Sequence, residues 1–291
     1  MSANQEHQTN LPIKHNLALV YAFSFLIAVL MTVVSVAGIS FRANIYPTEE
    51  LRRTFVPNDV VNFCVGVPMI LGALWLAWRG KLIGLLCLPG ALLFALYNYI
   101  AYVFAMPLNL AFLFHLALAT LSLYTLVGLV ASIDGRIVRQ RLGGVVPEKL
   151  AGGVLTGFGL LFVLRVIGVI ANTLTSGTLI AETELAVNVA DFFTSPALIL
   201  GGISLWRRQE FGYVTGLGLL FQASMLFIAL IIFLLLQPFL TTAPLAVADV
   251  IVVLVMGLIC FVPFALFVRG VGASSSIVCI ELDPARRNGR E

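Results

Sequence analysis

The sequence predicts an all-α, polytopic integral membrane protein with eight transmembrane helices. Hydrophobic residues make up 60% of the 291 residues, charged residues only 11%, and the mean hydropathy is +1.04. A soluble protein carries about 25% charged residues. This chain therefore has too few polar residues to cover a water-facing surface, and lipid must be the solvent for most of it.

Eight apolar segments are long enough to cross a bilayer. A hydrocarbon core of about 30 Å requires roughly 20 apolar residues per helical crossing. The segments that reach this length are 17–40, 59–78, 82–104, 108–132, 150–172, 186–206, 211–236 and 246–268. The apolar run from Leu82 to Ser132 is too long for one crossing, and Pro107 and Asn109 favour a turn that divides it into a hairpin.

The distribution of basic residues predicts the orientation of these helices. If the N-terminus is cytoplasmic, 13 of the 17 Lys and Arg residues lie in cytoplasmic loops or tails. Arg42, Arg52 and Arg53 lie outside, and Arg165 lies within the fifth helix. Because cytoplasmic loops carry an excess of basic residues, both termini are predicted to be cytoplasmic, in a plasma or inner membrane.

The helices divide the chain into two halves with short polar connections. The predicted parts are a cytoplasmic N-terminal tail (1–16), a first four-helix half (17–132), a basic cytoplasmic linker (133–149), a second four-helix half (150–268) and a cytoplasmic C-terminal tail (269–291). Residues 41–58 form the longest outer loop. Thr48 is expected to cap a short helix there, with Glu49 and Glu50 in its first turn.

The two halves resemble each other at an offset of 128 residues. The matching positions are Pro68 and Pro196, Trp78-Arg79 and Trp206-Arg207, Gly84 and Gly212, and Gly90 and Gly218. Four helices per half is an even number, so both halves enter the membrane from the same side. The pattern predicts two parallel four-helix repeats related by an axis along the membrane normal; chance matching among apolar residues is the alternative.

Polar residues within the helices are concentrated in the outer half of the predicted bilayer. Ionisable groups in a membrane are costly and point to functional sites. The candidates for binding a ligand are Asp59, Asn62, Asn98, His115, Arg165, Asn188, Asp191 and Asp249. Their shared depth predicts a polar cavity open to the outside and closed below by glycine-mediated helix packing.

Arg165 carries the sharpest expectation of this set. A guanidinium stays charged in a protein, so an Arg165 facing lipid without a partner is improbable. Its side chain should lie within about 4 Å of Asp191 or Asp249, or of water in the cavity. Such a pair could fix helix packing or belong to a binding site, or the side chain could extend outward to the interface.

Four of the other candidates have structural interpretations as well. Asp59, which follows Pro57 and Asn58, could cap the start of the second helix. Asn98 could form one interhelical hydrogen bond, and His115 could be a satisfied core histidine. Asp249 lies close enough to the interface to be solvated.

The sequence also argues against several classes of protein. A single intramembrane histidine cannot form a bis-histidine haem site, and all three lysines lie in loops, where none can hold retinal. The four cysteines include no C-x-x-C pair, and phosphate-binding, zinc-protease and serine-hydrolase motifs are absent. No cofactor, metal or nucleic-acid partner is predicted; the expected partners are membrane lipids, a small solute or ion, and a second copy or another membrane subunit.

Three functions fit these features. The first is transport of a small solute or ion through a polar site between the two halves. The second is a non-catalytic role as a sensor or an accessory subunit of a membrane complex. The third is an intramembrane enzyme acting on a lipid-type substrate, with Asp59, Asp191 and His115 as its acid and base candidates.

Overall fold

The structure is a computed structural model that describes residues 11–177, 179–241, 245 and 247–281, with side chains described as far as Ser274. Its helices are α1 Ala18–Ser40, α2 Arg42–Ile45, α3 Glu49–Val61, α4 Val67–Trp78, α5 Leu82–Ala105, α6 Leu110–Ser132, α7 Gly135–Leu142, α8 Glu148–Ser176, α9 Glu182–Trp206, α10 Glu210–Leu240 and α11 Val247–Glu281. A π-helical turn, Asn62–Gly66, joins α3 to α4. The predicted all-α class is confirmed.

Among the residues that the structure describes, eight spans are long and apolar enough to cross a membrane, as predicted. Seven are the single helices α1, α5, α6, α8, α9, α10 and α11, and the eighth is the continuous segment Glu49–Trp78. Many large apolar side chains on the outside of the bundle are exposed, among them Leu164, Phe193 and Val262. On a protein in water such a surface would be a liability, whereas here it suits contact with lipid.

The second span begins earlier than the sequence suggested. Its expected start at residue 59 is wrong, because the helix begins at Glu49 and passes through Pro57 without a break. Thr48 caps it as expected: its hydroxyl accepts a hydrogen bond from the Leu51 amide at 3.2 Å. Asp59 therefore lies inside a helix, so its interpretation as a capping residue is also wrong.

The described ends of the chain lie on the same face of the bundle as the 133–149 linker. The Lys14 amide donates to the Ser132 carbonyl oxygen at 2.8 Å, and the Ser274 hydroxyl donates to the Arg141 carbonyl oxygen at 3.0 Å. This end of the bundle, which also carries Arg79, is called the basic face below, and the opposite end is called the distal face. The last helix continues to Glu281, beyond the expected boundary at residue 268.

Helix α5 is the centre of the bundle. In its apolar membrane-spanning stretch 83% of the residues are buried, whereas the value is at most 50% in the other spans. It packs against α4, α6, α9 and α10, and α10 in turn packs against α3, α9 and α11. A helix that is apolar on all sides is suited to this position.

Helices α5 and α10 cross in direct contact at two glycines. A Cβ atom added to Gly90 would lie 2.0 Å from the carbonyl oxygen of Gly218, and one added to Gly218 would lie 3.0 Å from the Gly90 amide nitrogen. Only glycine allows two helix backbones to approach this closely. These positions are one of the pairs that match at an offset of 128 residues.

The turns that precede α5 and α10 have the same backbone conformation. Gly80 and Arg208 both adopt positive φ angles, of 71° and 56°. The Gly80 amide donates to Ala77 and the Arg208 amide to Leu205, at 2.9 and 3.0 Å. A left-handed residue at the end of a helix is a common termination, and glycine is its usual occupant; an arginine there pays a steric cost.

Candidate functional site

A cavity of about 310 Å³ lies between the two halves of the chain, bounded by α3, α5, α8, α9 and α10. It lies on the distal side of the bundle, because its lining includes Thr54 near the start of α3. Its lining includes Gln222, which lies twelve residues, or about 18 Å, along α10 from the basic-face end of that helix. Its size is at the lower end of the range for small-molecule sites, about 300–1,000 Å³.

The charged part of the cavity is an ion pair between α8 and α9. The Arg165 guanidinium donates through Nη1 to Asp191 Oδ2 at 2.8 Å. The Tyr97 hydroxyl of α5 donates to Asp191 Oδ1 at 3.0 Å. The pairing expected for Arg165 is therefore present, and both oxygens of Asp191 are occupied.

The two members of this pair differ in their exposure. The Asp191 side chain is 5% exposed, whereas that of Arg165 is 46% exposed. Because Asp191 is held by Tyr97 and Arg165, it has little freedom to move. The guanidinium has five N–H donors, and only its Nη1 contact is made to Asp191, so it can still donate to a group in the cavity.

Neutral polar side chains line the wall that faces this pair. Asn58 of α3 donates through Nδ2 to the Asn98 side-chain oxygen at 3.2 Å, and both residues line the cavity. The Asn98 amide also donates to the Phe94 carbonyl oxygen of its own helix at 2.9 Å. The interhelical hydrogen bond expected of Asn98 is thus present. Most of the remaining lining is apolar, with phenylalanines at positions 55, 94, 162, 227 and 233.

Asp59 lies outside the cavity wall, in a buried cluster with two tyrosines. Its Oδ2 accepts from the Tyr46 hydroxyl at 2.5 Å and its Oδ1 from the Tyr102 hydroxyl at 2.7 Å. Gly38 of α1 leaves the space for this arrangement, since a Cβ there would overlap the Asp59 carboxylate. The residue itself is only 1% exposed.

The Asp59 cluster is joined to the cavity by hydrogen bonds. The Asn58 amide that donates to Asn98 also lies 3.2 Å from the Tyr102 hydroxyl oxygen, to which it donates. Asn62 donates to the same oxygen at 3.5 Å. One tyrosine thus touches both the buried carboxylate and a cavity-lining amide.

A second set of polar groups lies about one helical turn closer to the basic face. Within the described part of the chain, the side-chain atoms Ser35 Oγ, Asn62 Oδ1, Tyr99 OH and both ring nitrogens of His115 are buried without a hydrogen-bond partner. The His115 ring packs against Tyr102, with centroids 4.6 Å apart. Its burial agrees with the interpretation as a core histidine, but no described side chain or backbone group bonds to its ring nitrogens.

The structure brings most, but not all, of the predicted site residues together. Asn98, Arg165 and Asp191 line the cavity, and Asp59, Asn62 and His115 belong to the adjoining network. Asn188 is buried on α9 with no partner for its amide in the described residues, away from the cavity lining. Asp249 is exposed, which agrees with its interpretation as a solvated residue.

Sequence reasoning missed the residues that hold this network together. Tyr46 and Asn58 come from the segment that was expected to be an outer loop. Tyr97, Tyr102 and Gln222 are not among the candidates that the sequence predicts. The depth of Asn58 becomes recognisable once the second span starts at the Thr48 cap.

The described residues contain no group of three or more His, Cys, Asp or Glu side chains placed to hold a metal ion. What the site offers chemically is hydrogen-bond donation from a guanidinium and from amides, inside a mainly aromatic wall. Comparison of the chain with family models, with curated proteins and with solved structures finds no match in any of the three.

Proposed function

We propose that this protein transports a small organic solute across the membrane, through the cavity between its two halves. The observation that carries the proposal is the Arg165–Asp191 pair in a cavity that α3 and α5 of the first half share with α8, α9 and α10 of the second. Secondary transporters bind their substrates near the bilayer midplane at the interface between repeats. Placing a charged pair inside a membrane costs free energy, so its presence at such an interface points to a function.

The chemistry of the cavity favours a solute with an anionic or strongly accepting group and an apolar body. Each Asp191 oxygen already accepts one hydrogen bond, and the free N–H donors near the pair belong to the Arg165 guanidinium. A guanidinium matches the geometry of a carboxylate. The phenylalanines that form much of the opposite wall would contact the apolar part.

In this proposal the two halves are parallel four-helix repeats, and one half moves against the other during transport. Three features support such repeats. Gly90 and Gly218 meet where α5 crosses α10, and an axis through this contact would exchange the two helices. The turns at Gly80 and Arg208 have backbone hydrogen bonds at equivalent positions and positive φ angles at the same residue of the turn. The same axis would relate the contact between α5 and α9 to the contact between α10 and α3.

Tight packing on the basic side gives the cavity a floor. A Cβ on Gly84 would lie 2.3 Å from the Ala77 amide nitrogen, and one on Gly212 would lie 2.1 Å from that of Leu205. Backbones this close leave no passage between α4 and α5 or between α9 and α10. The cavity would therefore be open to the distal side, which the distribution of basic residues predicts to be the outer side.

The transport proposal accounts for the site better than the enzyme alternative. Two of the three acid and base candidates, Asp59 and His115, are almost completely buried and do not line the cavity. The third, Asp191, lines it but is paired with Arg165. A substrate in the cavity would meet Tyr97, Asn98 and the guanidinium before either of them. Asn98 and the guanidinium bind through hydrogen bonds and do not act as acids or bases at neutral pH, and the Tyr97 hydroxyl is already bonded to Asp191.

The experiment is uptake into proteoliposomes that contain the purified protein. A panel of radiolabelled small carboxylates and amino acids, including benzoate, acetate and leucine, would be tested. We expect at least one to enter faster than in protein-free vesicles, and Arg165→Met to remove that excess. Arg52→Met, which changes an arginine outside the cavity lining, should retain it. Equal uptake by wild type and Arg165→Met would contradict the proposal, as would the absence of both uptake and binding across the panel.

A further inference from the structure

The Asp59 carboxylate is buried without a positive charge beside it. None of the ion pairs among the described residues includes it. Arg52 and Arg53, on the same helix, pair with Glu49 and lie about two turns, or roughly 10 Å, toward the distal face. A buried carboxylate in this position needs another means of balancing its charge.

The groups that face Asp59 from the surrounding helices are neutral side chains. Gly38 of α1, Tyr46 after α2 and Tyr102 of α5 lie against the carboxylate itself. Tyr99 of α5 and His115 of α6 pack against Tyr102, and Ser35 is buried one turn before Gly38 on α1. The charged side chains that the second half contributes to the cavity are Asp191 and Arg165, which pair with each other. Helix α10, which packs against α3, carries no Asp, Glu, Lys or Arg after Glu210 at its basic-face end.

We propose that Asp59 is a proton-binding site, and that proton uptake there is transmitted to the cavity through Tyr102 and Asn58. Proton binding to Asp59 stands on the geometry of the buried cluster alone. Its role in moving a solute rests on the proposed transport function.

The hydrogen-bond capacity of Tyr102 provides the connection. In the charged form, the Asp59 carboxylate accepts from Tyr46 and Tyr102. When a proton binds to Oδ1, that oxygen carries an O–H and must donate to a neighbour. The adjacent acceptor is the Tyr102 hydroxyl oxygen, at 2.7 Å. The Tyr102 proton must then turn away, and the Phe55 carbonyl oxygen stands 3.5 Å from it as the alternative acceptor.

This reversal displaces a cavity residue. A hydroxyl oxygen has two lone pairs, and Asn58 and Asn62 already direct amide groups at that of Tyr102. A third donor, from protonated Asp59, exceeds this capacity, so one amide must leave. Of the two asparagines, Asn58 has a second acceptor for its amide, because its Nδ2 lies 3.2 Å from the Asn98 side-chain oxygen. Its side chain would therefore turn toward Asn98, along the cavity wall.

The unpartnered groups below Asp59 provide a place for the water that would carry the proton. Buried polar atoms without a partner usually mark a bound water or ion. Ser35, Asn62, Tyr99 and His115 supply several such atoms within about one turn of Asp59. The π-helical turn that starts at Asn62 is a further sign, since these turns are frequent at functional sites.

The first experiment detects the proton directly. Infrared difference spectra would be recorded for the protein in lipid nanodiscs during a pH titration, with wild type, Asp59→Asn and Asp249→Asn. We expect a protonated carboxyl band that appears as pH falls in wild type, is lost in Asp59→Asn and is retained in Asp249→Asn, the exposed control. The same band in all three proteins would overturn the proposal. So would a wild-type band that does not change with pH.

A variant that keeps Asp59 guards against a simple loss of folding. Tyr102→Phe removes the hydroxyl that bonds to Oδ1. We expect this variant to retain the carboxyl band with a shifted frequency, because the protonated group loses its hydrogen-bond partner. A band with an unchanged frequency would contradict the proposed contact.

The second experiment tests transmission to the cavity without a solute. In a background whose native cysteines are replaced by alanine, Thr54→Cys places a thiol on the cavity lining and Leu108→Cys places one on an exposed loop. The ratio of their labelling rates by a methanethiosulfonate reagent should change with pH, and its midpoint should fall at the same pH as that of the carboxyl band. Adding Asn58→Leu should abolish that change while the band remains. A pH-independent ratio in the parent would refute transmission even if proton binding is found. Loss of solute uptake has no bearing on either readout, so the two proposals can fail separately.

Discussion

Removing Arg165 should destabilise the protein more than removing its partner Asp191. The reason is the unequal burial of the pair, since the Asp191 side chain is 5% exposed and that of Arg165 is 46% exposed. Arg165→Met leaves a carboxylate buried with only the Tyr97 hydroxyl as a donor. Asp191→Asn leaves a guanidinium that can reach water or lipid headgroups by rotating its side chain.

The expected magnitudes follow from where the pair lies between buried and exposed limits. Breaking a buried pair costs about 3–5 kcal/mol, and an exposed pair is worth about 0.2–1 kcal/mol. Because Tyr97 still bonds to the stranded carboxylate, Arg165→Met should lower the free energy of unfolding by about 2–3 kcal/mol. Asp191→Asn should cost about 1 kcal/mol or less, and the double variant should recover about 1–2 kcal/mol of the summed losses.

The assay is reversible unfolding by SDS in mixed micelles, followed by circular dichroism. Arg52→Met is the matched control, because its exposed ion pair with Glu49 should change stability by no more than about 0.5 kcal/mol. A larger loss for Asp191→Asn than for Arg165→Met would refute the reasoning from burial. Strictly additive losses in the double variant would show that the contact contributes no coupling energy.

The close crossing of α5 and α10 makes a second prediction: Gly90→Ala should destabilise the protein by about 1–3 kcal/mol, because the new methyl group would overlap the Gly218 carbonyl oxygen. Gly128→Ala is its control in the same SDS assay. A Cβ at Gly128 meets open space, so this change should leave stability unchanged or raise it by up to about 1 kcal/mol. Equal losses in both variants would exclude helix contact as the cause. A third prediction concerns orientation: cysteine at Gly144, in the linker on the basic face, should react with an impermeant thiol reagent only in inverted vesicles, and cysteine at Leu108 only in right-side-out ones. The reverse pattern would invert the proposed topology.

The number and order of the spans could be predicted because their signal is local. A run of apolar residues is sufficient to identify a crossing, and the turn at residues 106–109 follows from Pro107 and Asn109. Asn109 indeed caps α6, accepting from the Phe112 amide at 3.0 Å. The start of the second span was missed because its first turns, from Glu49 to Arg53, are as polar as a loop.

The site could be predicted only as a set of residues at similar depth. Depth follows from counting along each helix, which is how Arg165 and Asp191 were expected to meet. Which helix faces which neighbour depends on packing that a single sequence does not contain. Asn188 illustrates this limit: it lies one turn from Asp191 on α9, yet it is not among the residues that line the cavity.

The central helix α5 explains why one cavity and one buried carboxylate lie side by side. Tyr97 and Tyr102 are five residues apart, so their side chains project from α5 in directions about 140° apart. Tyr97 reaches Asp191 in the second half, and Tyr102 reaches Asp59 in the first. Asn98, one turn before Tyr102, receives the amide of Asn58 at the cavity wall. Any rearrangement of the Asp59 cluster therefore acts on the same helix that positions the Arg165–Asp191 pair.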